Sequence, residues 1–167
     1  MDCVRVACLR PKCVQAPTRN NERAFFSLTM PTLFLIEDEA TLAKNIGRYL
    51  ERHGWDVEIA ATAEEGLERI PAVSPDIIVL DFRLPGMNGL AALVLIRQRD
   101  PQARVVMLTG QANVRLVVDA MKAGTVDFIA KPVVLADLKR VLDKLVGEGR
   151  LCEAIEYYHA SDAGGLD

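Results

Sequence analysis

The chain has 167 residues, a mass of 18.4 kDa and a 50% hydrophobic composition. That length fits one domain with enough apolar material to bury a core, so a wholly disordered protein is excluded. Twenty Lys and Arg against 23 Asp and Glu leave a net charge of −3, which argues against a protein that coats nucleic acid, and no apolar run approaches the roughly 18 residues of a membrane-spanning helix.

The first thirty residues differ in kind from the rest. They carry Arg5, Arg10, Lys12, Arg19 and Arg23 against Asp2 and Glu22, a charge of +3, whereas the remainder carries 15 basic and 21 acidic residues, a charge of −6. Cys3, Cys8 and Cys13 recur every five residues, without the paired C-x-x-C spacing of most zinc sites. There is no apolar segment of the roughly 7–15 residues that a secretory signal needs. Residues 1–30 are read as a disordered leader or a mis-assigned start, with Met30 as the natural first residue, because strand-like patterning begins at Thr32. Cys152 stands alone on a helical face, so no disulfide framework is indicated and a reducing cytoplasm is the expected compartment.

From Thr32 onward, short apolar runs alternate with segments of helical period. The strand candidates are Thr32–Ile36, Asp56–Ala60, Asp76–Leu80, Arg104–Leu108 and Val126–Ala130, most of them continuous apolar runs of the kind expected for strands covered on both faces. Leu42, Ile46, Tyr49 and Leu50 mark a helix after the first strand, and Gly54 is placed to end it. Pro75 and Pro101 precede the third and fourth strands, where no helix can continue. Val114, Val117, Val118 and Met121 mark the fourth helix, ended by Gly124, and Leu135, Leu138, Leu142 and Leu145 mark the fifth. The helical pattern then meets Gly147 and Gly149, resumes over Leu151–His159, and gives way to a linker at 161–167. The domain is therefore placed at 31–147 and a helical tail at 148–167. Strict alternation of strand and helix predicts an α/β fold, a doubly wound parallel sheet with right-handed crossovers and helices on both faces.

Such sheets bind ligands at the carboxyl ends of their strands. There the sequence places Glu37-Asp38-Glu39 after the first strand, Asp81 after the third, Thr109 after the fourth and Lys131-Pro132 after the fifth. Gathered carboxylates repel one another unless a cation compensates, and Mg²⁺ favours one or two carboxylates with water and phosphate oxygens. Asp81, fixed by the buried run Ile77-Ile78-Val79-Leu80, is expected to turn its carboxylate to solvent, where it can attack phosphorus and form an aspartyl-phosphate. Lys131 and Mg²⁺ would neutralise charge, and Thr109 would donate a hydrogen bond to the new phosphoryl oxygen. Each residue taken alone has a structural reading. The acids fit a helix N-terminus, Asp81 a loop start, Thr109-Gly110 a turn and cap, and Lys131 a surface lysine. Their joint placement at the ends of different strands is what favours chemistry.

These residues fall in motifs that resemble the receiver domain of two-component response regulators. The motifs are Leu33-Phe34-Leu35-Ile36-Glu37-Asp38-Glu39, Pro75 through Asp81 followed by Leu84-Pro85-Gly86-Met87-Asn88-Gly89, Met107-Leu108-Thr109-Gly110, and Gly124 through Pro132. The resemblance covers about residues 32–146, and the sequence is most similar to the receivers of sigma-54-dependent, nitrogen-regulator-type activators. The resemblance implies a flavodoxin-like (βα)5 sheet of order 2-1-3-4-5. It implies Asp81 as phosphoacceptor, with Asp38, Asp81 and the backbone carbonyl of Arg83 as direct Mg²⁺ ligands and Glu37 acting through water. Lys131 would pair the phosphate, with a cis bond to Pro132, and Thr109 and Phe128 would be the switch pair. Arg83 and Gln111 occupy positions that tune phosphoryl lifetime in the family, and the first acid is Glu37 where aspartate is commoner.

The resemblance also implies a sensor histidine kinase as partner, homodimerisation through the face of the fourth helix, fifth strand and fifth helix, and an output in transcriptional regulation. No direct nucleic-acid or membrane binding by this chain is expected. Two organisations compete, a stand-alone receiver acting through protein contacts or a phosphorelay, and the N-terminal part of a longer regulator, the reading preferred here. An aspartyl-phosphate phosphatase would need a second aspartate two residues past the nucleophile as general acid, and that position is Arg83. A dinucleotide fold would need G-x-G-x-x-G after the first strand, and no Walker motif occurs. His53 and His159 supply no hydrolase triad, and His53 reads as a helix C-terminal residue.

Overall fold

The computed structural model describes residues 30–110 and 114–162, with side chains over 30–110 and 115–148. The leader with Cys3, Cys8 and Cys13, Gln111, the side chain of Cys152 and residues 163–167 lie outside the described parts. Within the unit Pro31–Asp167, five strands alternate with five helices. They are β1 (Thr32–Ile36), α1 (Ala40–Glu51), β2 (Asp56–Ala60), α2 (Ala63–Val73), β3 (Ile77–Asp81), α3 (Gly89–Arg99), β4 (Val105–Thr109), α4 (Val114–Ala123), β5 (Asp127–Ala130) and α5 (Leu135–Asp162). All strand pairs are parallel and the sheet order is β2-β1-β3-β4-β5, as the resemblance implied.

The period of two along each strand divides the core into two halves. Phe34, Ile36, Ile78, Leu80, Val105 and Met107 face one side, with Leu67 of α2, Leu93 and Ile96 of α3 and Ala120 of α4. Leu33, Leu35, Ile77, Val79, Val106 and Leu108 face the other, with Ile46 and Leu50 of α1 and Leu138 and Leu142 of α5. The three central strands are thus apolar at nearly every position because both of their faces are covered. Side chains of this size are worth about 1.5–3 kcal/mol each when fully buried, which makes the sheet the rigid part of the molecule.

Helix ends follow local chemistry. Gly54 (φ 85) and Gly124 (φ 96) adopt the left-handed conformation beyond α1 and α4. In both, the amide of the next residue turns back to a carbonyl of the last turn, Trp55 to Leu50 and Thr125 to Ala120, at 3.1 Å. Thr62 caps α2 by accepting from the Glu65 amide, and Glu65 accepts from Ala61 in return. Pro71 inside α2 has no N–H for the Leu67 carbonyl. Arg99 of α3 supplies that carbonyl with a donor instead, at 2.8 Å. Trp55 donates its indole N–H to Asp143 and so ties the turn before β2 to α5.

Four sequence expectations about the elements need correction. β3 was expected over Asp76–Leu80 and runs one residue later, because the Asp76 carboxylate binds the Thr32 amide at 2.7 Å and the ladder to β4 continues through Asp81 and Leu108. β4 and β5 likewise begin one residue later than expected. The interruption at Gly147 and Gly149 does not occur: α5 is a continuous helix of 28 residues that includes Ser161 and Asp162. Glycine in a helix costs only about 1 kcal/mol and keeps its N–H, unlike proline.

Gly89, the first residue of α3, lies so close to the end of β3 that a Cβ there would sit 2.1 Å from the Asp81 carbonyl oxygen. A Cβ at Gly147 would meet nothing within 4 Å. Gly89→Ala is therefore expected to lower stability by roughly 1–3 kcal/mol in urea unfolding. Gly147→Ala should leave stability unchanged or raise it by up to about 1 kcal/mol; an unshifted midpoint for Gly89→Ala would contradict the packing described.

Candidate functional site

β1, β3, β4 and β5 each end at one edge of the sheet, and the residues that follow them meet there. Phe82 continues the ladder by donating to the Leu108 carbonyl at 2.9 Å, and Gly89 donates to the Phe82 carbonyl at 3.0 Å. Lys131 donates its amide to the Thr109 carbonyl at 2.7 Å, joining the ends of β4 and β5. The backbone next to Asp81 is therefore held by hydrogen bonds to β4 and to the start of α3.

The Lys131 ammonium is the hub. Its Nζ lies 2.8 Å from Asp81 Oδ2 and donates to Glu37 Oε1 at 3.0 Å. Glu37 Oε1 also accepts from the Glu39 amide at 3.3 Å, and Asp81 Oδ1 accepts from the Arg83 amide at 3.2 Å. Glu37 Oε2 lies 2.8 Å from Lys131 Nζ without hydrogen-bonding geometry, and it is buried with no hydrogen bond among the described residues. The Lys131–Pro132 bond is cis, as the resemblance implied.

Burial differs sharply among the three acids. Glu37 is 1% exposed and Asp81 3%, while Asp38 is exposed. The expectation that Asp81 turns its carboxylate freely to solvent is thus wrong: Lys131 and the segment after β3 enclose it. The helix-terminus reading fits Glu39, which occupies the N-cap of α1 although its side chain makes no capping bond, and it does not fit the buried Glu37.

Burial raises the Glu37 pKa above its ordinary 4.5. The charge of Asp81 adds to the rise, and the hydrogen bond and charge of Lys131 with the Glu39 amide oppose it without cancelling it. For Lys131, burial alone would lower the pKa, but hydrogen bonds to Asp81 and Glu37, reinforced by their charges, raise it above 10.5. Lys131 is therefore a permanent cation in the working pH range, facing two acids.

Carboxylate oxygens of Glu37, Asp38 and Asp81 lie within 4.8 Å of one another. An all-oxygen donor set of three carboxylates against one ammonium suits a hard divalent cation such as Mg²⁺. Thr109, half-buried at the end of β4, and Phe128 of β5 share a face of the sheet. Residue 128 pairs with Met107, and Thr109 lies two positions further along the same strand. Phe128 is half-buried against the core beneath α2, α3 and α4. The structure thus brings Glu37, Asp38, Asp81 and Lys131 together, with Thr109 and the Arg83 amide at the same edge.

One residue of this edge escaped the sequence reading. Glu64 in the first turn of α2 accepts from the Met87 amide at 3.2 Å, next to Gly86 at φ 76. The Thr62-Ala63-Glu64-Glu65 capping box was visible in the sequence, but a tie across 23 residues was not.

The titration of Glu37 has a stability consequence. A folded-state pKa above 4.5 means the fold holds that proton more tightly than the unfolded chain does. Its contribution is full below 4.5 and is lost as pH rises through the raised value. In EDTA, the Tm of wild type minus that of Glu37→Gln should fall as pH rises from 4.5 toward neutrality; a rising difference would contradict this.

Comparison with known proteins agrees with this geometry. The family model described as "Response regulator receiver domain" matches residues 33–143. The acid tolerance regulatory protein ActR of Rhizobium meliloti is 32% identical over 134 residues, 79% of this chain and 69% of ActR. Chemotaxis protein CheY of Listeria monocytogenes is 40% identical over 114 residues, 66% of this chain and 92% of CheY. The crystal structure of NtrX from Brucella abortus matches with a TM-score of 0.70 at 27% identity, over 77% of this chain and 29% of NtrX, in keeping with the similarity to nitrogen-regulator-type receivers. The matched part is nearly all of CheY and under a third of NtrX.

Proposed function

The chain belongs to the response regulator receiver family of two-component systems, and from that premise we propose that Asp81 accepts the phosphoryl group. The observation that carries this reading is the Asp81 carboxylate at the end of β3, 2.8 Å from the Lys131 ammonium and within 4.8 Å of the Glu37 and Asp38 oxygens. Receivers are phosphoacceptors rather than conventional enzymes, and here the donor is read as the phosphohistidine of a sensor kinase. An ionised Asp81 oxygen attacks phosphorus, the O–P bond forms as the P–N bond breaks, and the P–N electron pair returns to the ring nitrogen of the phosphohistidine, whose other nitrogen keeps its proton, so that neutral imidazole leaves.

Lys131 compensates charge on the phosphoryl oxygens while keeping its bond to Glu37. Asp38, Asp81 and the Arg83 backbone carbonyl are proposed to hold Mg²⁺, with Glu37 acting through water. When bound, the ion supplies charge neutralisation and alignment of the phosphoryl oxygens. Thr109 is assigned the hydrogen bond to the attached phosphoryl group, and Phe128 the aromatic movement that follows it. A side-chain phosphoryl group carries roughly −1.5 to −2 charge near pH 7, so its arrival adds negative charge beside Lys131 at an already acidic edge and biases an existing equilibrium of the α4-β5-α5 face.

That face is read as the contact for a partner or a second copy, in which exposed Val118, Met121 and Val126 would be covered. The continuous α5, which runs sixteen residues beyond Val146 to Asp162, favours the longer regulator over the stand-alone receiver, with α5 as the arm toward a transcriptional output. Among the described residues no helix is long and apolar enough to cross a membrane, and a cytoplasmic location is proposed.

Incubation with acetyl phosphate and Mg²⁺ is expected to add one phosphoryl group to wild type by intact mass and none to Asp81→Asn. A gain that persists in the variant would remove Asp81 from this role. Arg83→Ala is expected to change the rate of autodephosphorylation, read as the half-life of the phosphorylated mass; an unchanged half-life would count against Arg83 as a tuning residue.

A further inference from the structure

The segment between β3 and α3, residues 82–88, carries Arg83 and lies directly after Asp81. Two of its ties are internal to the site: Arg83 donates its amide to Asp81 Oδ1, and Gly89 donates to the Phe82 carbonyl. Asn88 caps α3 by accepting from Ala91 at 2.9 Å. A further tie comes from another element. Glu64 Oε1 on α2 accepts from the Met87 amide at 3.2 Å. A Cβ at Gly86 would approach that same oxygen to 3.1 Å, so the left-handed turn packs against the carboxylate.

Glu64 is not needed by its own helix, since Thr62 and Glu65 already form the reciprocal cap of α2. Its acceptor is spent on fixing the far end of the segment. The geometry points to Glu64 as a positioning residue that holds residues 82–88 and thereby the Arg83 carbonyl at the Mg²⁺ site. This inference rests on the proposed metal site and extends it to a residue that touches neither metal nor phosphate.

Two substitutions separate reach from charge. Glu64→Gln keeps an oxygen acceptor at the same length and loses the charge. Glu64→Asp keeps the charge and withdraws the acceptor by one methylene. Mg²⁺ binding to the full chain is measured by calorimetry, with Met87 amide exchange followed by NMR in EDTA. Outer-shell partners of metal ligands typically contribute 10–100-fold to affinity; because the segment is also anchored by buried Leu84, Glu64 is expected to contribute about 3–10-fold. Glu64→Asp should weaken Mg²⁺ binding by that factor and speed Met87 exchange, while Glu64→Gln stays within about twofold of wild type.

Wild-type affinity in Glu64→Asp overturns the inference. So does equal weakening in both variants, which would mark a charge effect rather than a held amide, or a loss confined to Glu64→Gln. Absence of Mg²⁺ binding in wild type would overturn the metal-site reading and this inference together, whereas wild-type binding with unaffected Glu64→Asp overturns the inference alone.

Discussion

The site depends on one ammonium between two buried carboxylates. Lys131 spends donors on both Asp81 and Glu37, which are 50 and 94 residues away in sequence. Without it, the edge of the sheet would hold two nearly buried acids and a third within 4.8 Å. Ionised acids buried together without a counter-charge are costly, and each would favour its neighbour's proton. With it, Asp81 keeps an acceptor that faces a cation, and both Glu37 oxygens lie within 3.0 Å of the same ammonium. Under the proposed function, the same ammonium would also meet the charge brought in by a phosphoryl group.

That meeting of distant residues follows from the sheet. In a parallel sheet every strand delivers its carboxyl end to the same edge, so residues separated by a whole βα unit become neighbours. The central strands are buried on both faces, and their side chains fix the backbone from which Glu37, Asp81 and Thr109 extend. Close packing carries the constraint further, because α3 begins with a glycine whose missing Cβ lets it rest on the Asp81 carbonyl. Stability and site geometry are therefore coupled at Gly89.

The features most legible in the sequence were those set by periodicity and by the strand ends. β1 falls where its apolar run places it and β2 where its alternating pattern does, and Gly54 and Gly124 adopt the left-handed conformation at helix ends. Errors arose where tertiary contacts outweigh local pattern. Asp76 looks like the first residue of a strand but serves as an acceptor for Thr32. Gly147 and Gly149 look like a break, yet helical hydrogen bonding continues through them because neither glycine lacks an amide. The burial of Asp81 was not readable because the cover comes from Lys131, a residue on another strand end. Glu64 was missed for the same reason: its capping neighbours are local, whereas its own partner lies one βα unit away.

The central claim, that the Asp81 carboxylate is the atom group that bonds to phosphorus, is tested most directly by chemical trapping. Borohydride reduces an aspartyl-phosphate to homoserine, and peptide mass spectrometry then locates the altered residue. After phosphorylation of the wild-type chain, the account requires homoserine at position 81 and unchanged aspartate at position 38. Homoserine at position 38, or phosphorylated protein with no reduced aspartate, would contradict it.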